Sequence, residues 1–146
     1  MTKKSFENYM NFSIKNYAEE KIKSGNWSEE EAEENSKKTF EQLLPQKEKT
    51  PDNYFYEIHS QEDIHIGNIW FFKRNEEIFL ADIYIDEEFQ GKGYGKDTMK
   101  ELETKARKLK AKTIALHVFG HNKKAFKLYE SFGFYITNIN MTKDLK

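Results

Sequence analysis

The sequence predicts a single α/β (α+β) domain in which three layers surround a mixed sheet. Patterns typical of helices and strands follow one another in the order α-α-β-β-β-α-β-α-β. The 146 residues suffice for one full core, and no repeat or linker divides them, so residues 1–146 form one domain. A charged content of 34% and an aromatic content of 15% predict a polar surface around an aromatic-rich core.

The first part of the chain predicts two amphipathic helices. Apolar side chains from Phe6 to Ile22 recur at helical spacing, and Gly25 is a suitable residue for the end of that helix. The run Ser28–Glu31 has the pattern of a capping box, so we expect a second helix to begin there. That helix is expected to stop at Pro45.

The middle of the chain predicts an antiparallel meander followed by a parallel crossover. Three β-rich runs, Asn53–His59, Ile64–Phe72 and Ile78–Ile85, are joined by short polar connections. A helix that spans Met99 to Leu109 then leads to a strand at Thr113–Phe119. Because a helix connects them, the strands Ile78–Ile85 and Thr113–Phe119 are expected to be parallel neighbours.

A glycine-rich loop lies between the third strand and the helix that follows it. Gln90–Lys96 contains three glycines in five residues, and such a loop places N–H groups at the positive end of a helix, where anions bind. The loop is not a P-loop, because Gly95-Lys96 is followed by Asp97. It is not a dinucleotide fingerprint either, since Lys96 stands at the third glycine position.

The chain is predicted to end with a helix at Asn122–Phe132 and a closing strand at Phe134–Met141. Asn122 and Tyr129 follow the parallel neighbour of the glycine-loop strand, so they are expected at the same carboxyl edge of the sheet, where open sheets bind ligands. Two alternatives stay open at this point. Asn122 also fits a helix N-cap, and Tyr129 also fits a core aromatic residue.

Composition narrows the classes of function. The net charge of −1 argues against nucleic-acid binding, which usually needs a basic face. The absence of cysteine excludes disulfides, thiol nucleophiles and cysteine metal sites, and it suits the cytoplasm. No apolar run is long enough to cross a membrane, and no signal-peptide core is present, so no membrane partner is expected. The four histidines lack metal-ligand spacing, so no metal is expected.

Together these motifs resemble the GNAT superfamily of acetyl-CoA-dependent N-acetyltransferases, in a small bacterial branch, and the likeness covers essentially the whole chain. The residues that carry it are Gln90, Gly93 and Gly95; Asn122, Ala125, Tyr129, Gly133 and Phe134; Met141, Lys143 and Leu145; and the strand Gly67-Asn68-Ile69-Trp70. The resemblance implies a three-layer GNAT-like fold with a mixed, mostly antiparallel sheet whose parallel pair splays at the cofactor site.

The resemblance also implies the roles of individual residues. Acetyl-CoA would be the acetyl donor, and its pyrophosphate would meet the backbone amides of Gln90, Gly91, Lys92, Gly93, Tyr94, Gly95 and Lys96. Its pantetheine arm would contact the backbone of Ile83, Tyr84 and Ile85 together with Asn122. The hydroxyl of Tyr129 would lie near the thioester sulfur and protonate the leaving thiolate, while an amine attacks the carbonyl carbon.

A general base is needed, because an amine is mostly protonated near neutral pH. Asp82 is the best candidate, since it interrupts an apolar strand beside the expected thioester position; a solvated or hydrogen-bonded polar residue is the alternative. Glu76, Glu77 and His117 are weaker candidates. Some members of the family carry a glutamate at the position of Phe79, which is a departure of this sequence from that pattern.

The acceptor is expected to be a small-molecule amine or a peptide. Five acids in the six residues Glu29–Glu34 are most simply a solvated helix start, but the resemblance places them beside the acceptor groove, where they would favour a polyamine or a lysine peptide. Only six residues separate Phe134 from Met141, which leaves one wall of that groove open or completed by a second subunit of a homodimer. A regulatory module that binds acyl-CoA without turnover is the alternative function, and a nucleotide-binding protein is disfavoured by the failed phosphate-loop patterns.

Overall fold

A computed structural model describes residues 1–145. Its helices are α1 (Lys3–Lys23), α2 (Ala32–Leu43), α3 (Tyr94–Lys108) and α4 (Lys123–Ser131), and its strands are β1 (Asn53–His59), β2 (His65–Arg74), β3 (Glu77–Ile85) and β4 (Thr113–Leu116). Short 3₁₀ turns occupy Lys47–Lys49 and Glu87–Phe89. The predicted element order is therefore confirmed, apart from the closing strand.

The four strands form one mixed sheet in the order β1-β2-β3-β4. The first two pairings are antiparallel, and β3 pairs with β4 in parallel, as the crossover predicted. The parallel pairing runs only from Glu77↔Thr113 to Leu80↔Leu116. Beyond Leu80, β3 continues to Ile85 without a partner on the β4 side, so the two strands diverge and the predicted splay is confirmed.

A β-bulge in β3 lies where this divergence begins. Trp70 pairs with Asp82 and Phe71 pairs with Leu80, so Ala81 is an extra residue with no partner in β2. A bulge shifts the alternation of side chains by one residue. As a result, Leu80 faces the α3 side, whereas Asp82 faces α1.

Two apolar clusters hold three layers together. On one face of the sheet, Ile66, Phe71 and Ile78 are buried against Leu102 of α3, and α4 packs against this cluster through partly buried aromatic side chains. On the other face, α1 covers the sheet with Phe6, Tyr9, Phe55 and Trp70, and the side chain of Phe40 from α2 packs against them. The sheet is thus enclosed between α1 and α2 on one side and α3 and α4 on the other. The predicted three-layer architecture is confirmed.

Three predicted boundaries are wrong. The second helix begins at Ala32 rather than Ser28, because only half of the capping box forms: the Glu31 carboxylate accepts from the Ser28 N–H at 3.3 Å, but the Ser28 side chain caps nothing. The strand β4 ends at Leu116, three residues early, where β3 has turned away from it. The closing strand at Phe134–Met141 does not form, because no strand of the described chain lies beside it to share hydrogen bonds.

Candidate active site

The glycine loop has the geometry of an anion site. Gly91 and Gly93 have φ values of 76° and 90°, and the space where a Cβ would stand beside each is open to 4 Å. Helix α3 begins at Tyr94 with Gly93 as its N-cap and no side-chain hydrogen bond to its first turn. The N–H groups of that first turn therefore face the open space, where a phosphate oxygen could accept from them. These residues fit the pyrophosphate of coenzyme A.

Gln90 fixes the start of this loop rather than leaving its own amide free. Its side-chain Nε2 donates to the carbonyl oxygen of Ile85 at 2.7 Å, which ties the loop to the end of β3. The backbone N–H of Gln90 donates to the Glu87 carbonyl at 3.2 Å. The donors that remain for an anion therefore begin at Gly91.

Asp82 lies in the layer between the sheet and α1. The Tyr9 hydroxyl donates to Asp82 Oδ2 at 2.6 Å, and Tyr9 itself is only 2% exposed. Burial raises the pKa of Asp82, and the bonds from the Tyr9 hydroxyl and the Ile83 N–H oppose that rise. Burial and the Asp82 carboxylate raise the pKa of Tyr9 well above its usual value, so Tyr9 remains a hydrogen-bond donor. The raised pKa makes the Asp82 carboxylate a stronger base than that of an ordinary aspartate.

Ser13 extends this pair along α1. It lies one turn after Tyr9, and its hydroxyl is buried with no hydrogen-bond partner among the described residues. Its nearness to the Tyr9 hydroxyl lowers the pKa of that phenol slightly against the larger effect of burial. Ser13 therefore adds a second buried hydroxyl beside the one that bonds to Asp82.

Tyr129 approaches the same carboxylate from α4. Burial, followed by the negative charge of Asp82, raises the pKa of Tyr129 to about 12. The Tyr129 ring lies edge-on to that of Phe134, with ring centroids 5.9 Å apart, and the Tyr129 carbonyl accepts from the Phe134 N–H. The hydroxyl therefore stays protonated at any working pH, and its ring is fixed by packing. Two residues singled out from sequence, Asp82 and Tyr129, come together here although they lie on different elements.

Asn122 acts as the N-cap of α4. Its side-chain oxygen accepts from the Ala125 N–H at 3.2 Å, as the capping alternative predicted. The preceding His121 bonds to Glu20 and lies 3.4 Å from the Ser24 hydroxyl, so the turn before α4 is joined to the end of α1. The bond to Ala125 fixes the Asn122 side chain at the start of α4, in the turn that follows β4.

The weaker base candidates separate into two groups. Glu77 pairs with Arg74 at 2.8 Å and Glu76 pairs with Lys112 at 3.2 Å, and both acids lie at the end of β3 remote from the glycine loop. The structure therefore does not bring Glu76 or Glu77 to the site. His117 directly follows β4, and burial, followed by the charge of Lys21, lowers its pKa. The imidazole of His117 is thus neutral at pH 7.

Phe79 has a packing role. Its ring stacks on Phe72 at a centroid distance of 5.2 Å, on the α1 side of the sheet, and the Arg74 guanidinium lies 4.9 Å from its centroid. The position where some relatives in the family carry a glutamate is therefore filled by an aromatic contact. The bulge at Ala81 places Asp82 on the same face of the sheet, three residues further along.

An aromatic chain joins the acidic run to the carboxyl end of β4. Trp27, in the connection between α1 and α2, lies edge-on to Tyr17 at 5.7 Å, and Tyr17 lies 6.3 Å from Phe119. The acids of the run Glu29–Glu34 begin two residues after Trp27 and are all exposed. Their carboxylates are solvated, as the simpler interpretation predicted.

Sequence reasoning missed Tyr9 and Ser13. In the sequence pattern, Tyr9 occupies an apolar position of the first helix, and Ser13 lies on the same buried face of α1. The sequence did offer one signal for a site: Tyr9 and Ser13 place hydroxyls four residues apart on a buried helix face, and buried hydroxyls need hydrogen-bond partners. The partner, Asp82, is 73 residues away in sequence, and only the packing of α1 on the sheet brings it close.

Two further features of the described residues bear on function. Residues 1–145 contain no group of three potential metal ligands, and no helix among them is both long and apolar enough to span a bilayer. A pocket of about 330 Å³ lies between β1 and α3, with Glu57, His59, Asp97 and Lys105 in its lining. Neither Asp82 nor Tyr129 lines that pocket, although Tyr94 and Asp97 from the first turn of α3 do.

Comparison with a family model and with known proteins assigns the chain to one family. The chain matches the model of the acetyltransferase (GNAT) family over residues 17–134. It is 37% identical over 149 residues to the uncharacterised N-acetyltransferase YycN of Bacillus subtilis (strain 168), a match that covers 99% of this chain and 96% of that protein. A shorter match, 42% identical over 62 residues, covers 42% of this chain and 41% of the spermine/spermidine N(1)-acetyltransferase of the same strain.

Comparison with solved structures agrees. The crystal structure of YycN has a TM-score of 0.96 and covers 100% of this chain and 96% of its own. The PaiA N-acetyltransferase of Thermoplasma acidophilum, in complex with coenzyme A, is 21% identical and shares the fold with a TM-score of 0.71 over 96% of this chain and 89% of its own.

Proposed function

The chain belongs to the GNAT family of acetyltransferases and uses acetyl-CoA as its donor, and from that premise we propose that it acetylates a primary amine by direct attack on the thioester. The observations that support this proposal are the nearness of the Tyr129 hydroxyl to the Asp82 carboxylate and the start of α3, which no side chain caps. One residue can accept a proton and the other can donate one. We also propose a cytoplasmic location, in line with the absence of cysteine.

The donor is proposed to lie across the carboxyl ends of β3 and β4. Its pyrophosphate would accept from the backbone amides that begin at Gly91, where two glycines leave open space. Its pantetheine arm would enter the gap that opens beyond Leu80, where the backbone of Ile83–Ile85 has no partner on the β4 side. Asn122, in the turn between β4 and α4, is proposed to contact the same arm.

Asp82 is proposed as the general base. Acetyl-CoA, when bound, supplies a thioester carbonyl carbon that an uncharged amine can attack. Asp82 would remove the proton from the ammonium form of the acceptor, directly or through water, and the Tyr9 hydroxyl would hold its carboxylate in position. The raised pKa supports this role, because a carboxylate of ordinary pKa is a very weak base at neutral pH.

Tyr129 is proposed as the acid. As the carbon–sulfur bond breaks, negative charge gathers on sulfur, and the Tyr129 hydroxyl would donate to it and supply the proton of the free thiol. The burial that raises its pKa keeps this hydroxyl protonated until it is needed. A tyrosine that served only to pack would not require a hydroxyl so near a buried carboxylate.

The acceptor is proposed to be cationic, either a polyamine or a lysine-bearing peptide. Five glutamates in the run Glu29–Glu34 follow Trp27, whose ring is joined through Tyr17 to Phe119 beyond β4, and a cationic substrate would be attracted to them. The partial likeness to the spermine/spermidine N(1)-acetyltransferase supports the polyamine class. The experiment that tests the proposed function is a panel of amines and lysine peptides with acetyl-CoA, in which free thiol is measured. Turnover with a cationic amine is expected, whereas binding of acetyl-CoA without turnover would indicate a regulatory module.

Reversing the charge of exposed acids in the run Glu29–Glu34 should weaken binding of the amine acceptor but not of acetyl-CoA. The variant Glu29→Lys/Glu30→Lys/Glu33→Lys leaves Glu31 and Glu34 in place, because Glu31 bonds to the Ser28 N–H and Glu34 pairs with Lys38. We expect the KM for spermidine or a lysine peptide to rise roughly threefold to tenfold at low salt, given about 0.2–1 kcal/mol per exposed charge. The KM for acetyl-CoA should change little. Added salt should shrink the difference, since screening acts over about 8 Å at physiological ionic strength.

A matched control separates steering from net charge. The variant Glu48→Lys/Glu62→Lys/Glu101→Lys makes the same change in net charge on other faces of the molecule. It should leave the KM for the amine close to that of the unmodified enzyme. If both variants change this KM equally, or if neither does, the acidic run has no role in acceptor choice.

Removal of the Tyr9 hydroxyl should shift the pH profile. In Tyr9→Phe, Asp82 loses a hydrogen bond that holds its pKa down, so its pKa should rise further. The groups that face Asp82 are Tyr9 from α1, Tyr129 from α4 and the Ile83 N–H from β3, and Ser13 lies beside the Tyr9 hydroxyl. Because the base must be ionised to act, the acidic limb of kcat/KM should move to higher pH. Steady-state rates between pH 5 and 9, at saturating amine and varied acetyl-CoA, would give kcat/KM for acetyl-CoA and measure this shift.

The control for this experiment is Tyr54→Phe. Tyr54 stacks on Phe71 on the opposite face of the sheet, so loss of its hydroxyl should leave the pH profile unchanged. A purely structural role for Tyr9 would lower thermal stability without moving the acidic limb. An acidic limb at the same pH in Tyr9→Phe and in the unmodified enzyme would remove Tyr9 from the proposed mechanism.

A further inference from the structure

An exposed aromatic pair lies next to the candidate base. Phe12 of α1 is 41% exposed, and its ring centroid is 4.8 Å from that of Tyr84 on β3, with the ring planes tilted by 52°. Tyr84 follows Asp82 by two residues, and Phe12 follows Tyr9, which bonds to Asp82, by three. The faces of aromatic rings carry partial negative charge and attract cations. The pair therefore offers a cation an open aromatic surface close to the proposed base.

Two carboxylates border this pair. Asp86 and Glu87 directly follow β3, and after burial their negative charges raise the pKa of the Tyr84 hydroxyl, so both lie near it. Neither acid forms an ion pair with another of the residues 1–145. Their charges are therefore left for a ligand, and a cation is the ligand that they complement.

The spacing along β3 fits two positive charges on one molecule. A strand rises about 3.3 Å per residue, so the Cα atoms of Asp82 and Asp86 are at most about 13 Å apart. The backbone N–H of Asp86 donates to the Ile66 carbonyl at 2.8 Å, which keeps this part of the chain beside β2. A linear amine with several methylene groups can therefore place one nitrogen at Asp82 and a second beside the aromatic pair. A single ammonium can occupy only one of the two places.

One polar group at the reacting end has no partner. Ser13 is 6% exposed, and its hydroxyl lies beside that of Tyr9 without a hydrogen-bond partner in the described part of the chain. Buried hydroxyls are seldom left unpaired, so we expect a group from outside this part of the chain to meet it. An ammonium group has three N–H donors, and Asp82 need not accept from all of them. The Ser13 oxygen is an unused acceptor for a nitrogen at Asp82.

We propose that Phe12, Tyr84 and Asp86 form a distal amine site, which holds the second ammonium of a linear diamine or polyamine while the first nitrogen reacts at Asp82. The second ammonium lies against the two rings and pairs with the Asp86 carboxylate, and Glu87 adds a further negative charge. This inference rests on the proposed acetyl transfer. It narrows the acceptor from any cationic amine to one that carries two charges on a single flexible chain.

The first test compares two amines that differ only in the second charge. Pentylamine and cadaverine have the same five-carbon chain, and only cadaverine carries a second ammonium. At constant ionic strength, kcat/KM for cadaverine should exceed that for pentylamine at least about tenfold, since the cation–π contact and the ion pair act together. Equal values would overturn the distal site and leave the acetyltransferase activity standing. Thiol release from neither amine would instead contradict the proposed function.

Substitutions in the distal amine site should reduce this preference. The ratio of kcat/KM for cadaverine to that for pentylamine should fall about threefold to tenfold in Asp86→Asn and in Phe12→Leu. Glu101→Gln removes an exposed charge from α3, across the sheet, and Tyr56→Leu removes an exposed ring from β1, so both controls should keep the ratio. A ratio that stays unchanged in either distal variant would overturn the proposal.

A binding measurement separates the distal amine site from the chemical step. Coenzyme A carries no acetyl group, so calorimetry of each amine with the coenzyme-A-saturated protein measures affinity without turnover. Cadaverine should bind more tightly than pentylamine, and Asp86→Asn should bring the two dissociation constants together. Ser13→Ala should weaken both amines alike, because both place a nitrogen at Asp82. Equal affinities for the two amines in the unmodified protein would overturn the distal site even if neither amine is acetylated.

Discussion

Replacing Tyr129 with phenylalanine should lower kcat about a hundredfold, the lower end for general acid catalysis, while acetyl-CoA binding stays nearly unchanged. The ring would keep its edge-on contact with Phe134, so the packing of α4 should survive. Only the hydroxyl beside the Asp82 carboxylate is lost. Single-turnover measurement of thiol release, together with calorimetry of coenzyme A binding, would separate the chemical step from donor affinity.

Two pKa values constrain how the Tyr129 hydroxyl can act on the leaving sulfur. Burial raises the pKa of Tyr129 to about 12, whereas an ordinary thiol has a pKa of about 8.5. Proton transfer from the phenol to the thiolate is therefore uphill, and the Tyr129 phenolate must regain its proton from solvent before the next turnover. The hydroxyl also donates a hydrogen bond to the sulfur while the carbon–sulfur bond breaks, so its loss should appear in kcat and kcat/KM alike.

The control for this variant is Tyr56→Phe. Tyr56 is 38% exposed on β1, where the ammonium of Lys105 lies 4.6 Å from its ring. The Tyr56→Phe variant should therefore have a normal kcat. If Tyr129→Phe loses thermal stability but keeps normal kcat, Tyr129 is a core residue and the acid must be sought elsewhere.

Much of the fold could be predicted because its signals are local. The strand Asn53–His59 has the predicted bounds, and the parallel neighbours β3 and β4 follow from a helical connection of ordinary length. The prediction of a closing strand was wrong, and the reason is not local. The residues Phe134–Met141 have strand composition, but a strand also needs an edge beside it, and composition does not say which edge is free.

The site divides in the same way. Asp82 could be found because a carboxylate inside an apolar strand is conspicuous, and the glycine loop because its pattern is contiguous. The bulge at Ala81 also left a trace, since the buried positions shift phase between Leu80 and Ile83. The bond between Tyr9 and Asp82 left none, because it depends on how α1 crosses the sheet, which side-chain periodicity does not specify.

The other large effect is expected at Gly93. Gly93→Val places a branched side chain at a φ of 90°, which side chains rarely adopt, so the first turn of α3 should rearrange. The N–H groups of that turn are the proposed donors to the pyrophosphate, and a hydrogen bond to a charged group contributes about 1.5–3 kcal/mol. Loss of one such bond should weaken coenzyme A binding by about tenfold to a hundredfold, as measured by calorimetry.

Gly25 offers a control of matched strain. Its φ is 75°, and nothing lies within 4 Å of the position where its Cβ would stand, as at Gly93. Gly25→Val should therefore cost similar stability, but it lies at the end of α1, away from the glycine loop. A folded Gly93→Val protein that binds coenzyme A with unchanged affinity would show that the loop is not the phosphate site. Equal losses of affinity in both variants would assign the effect to general destabilisation, whereas a loss confined to Gly93→Val would assign it to the backbone amides at the start of α3.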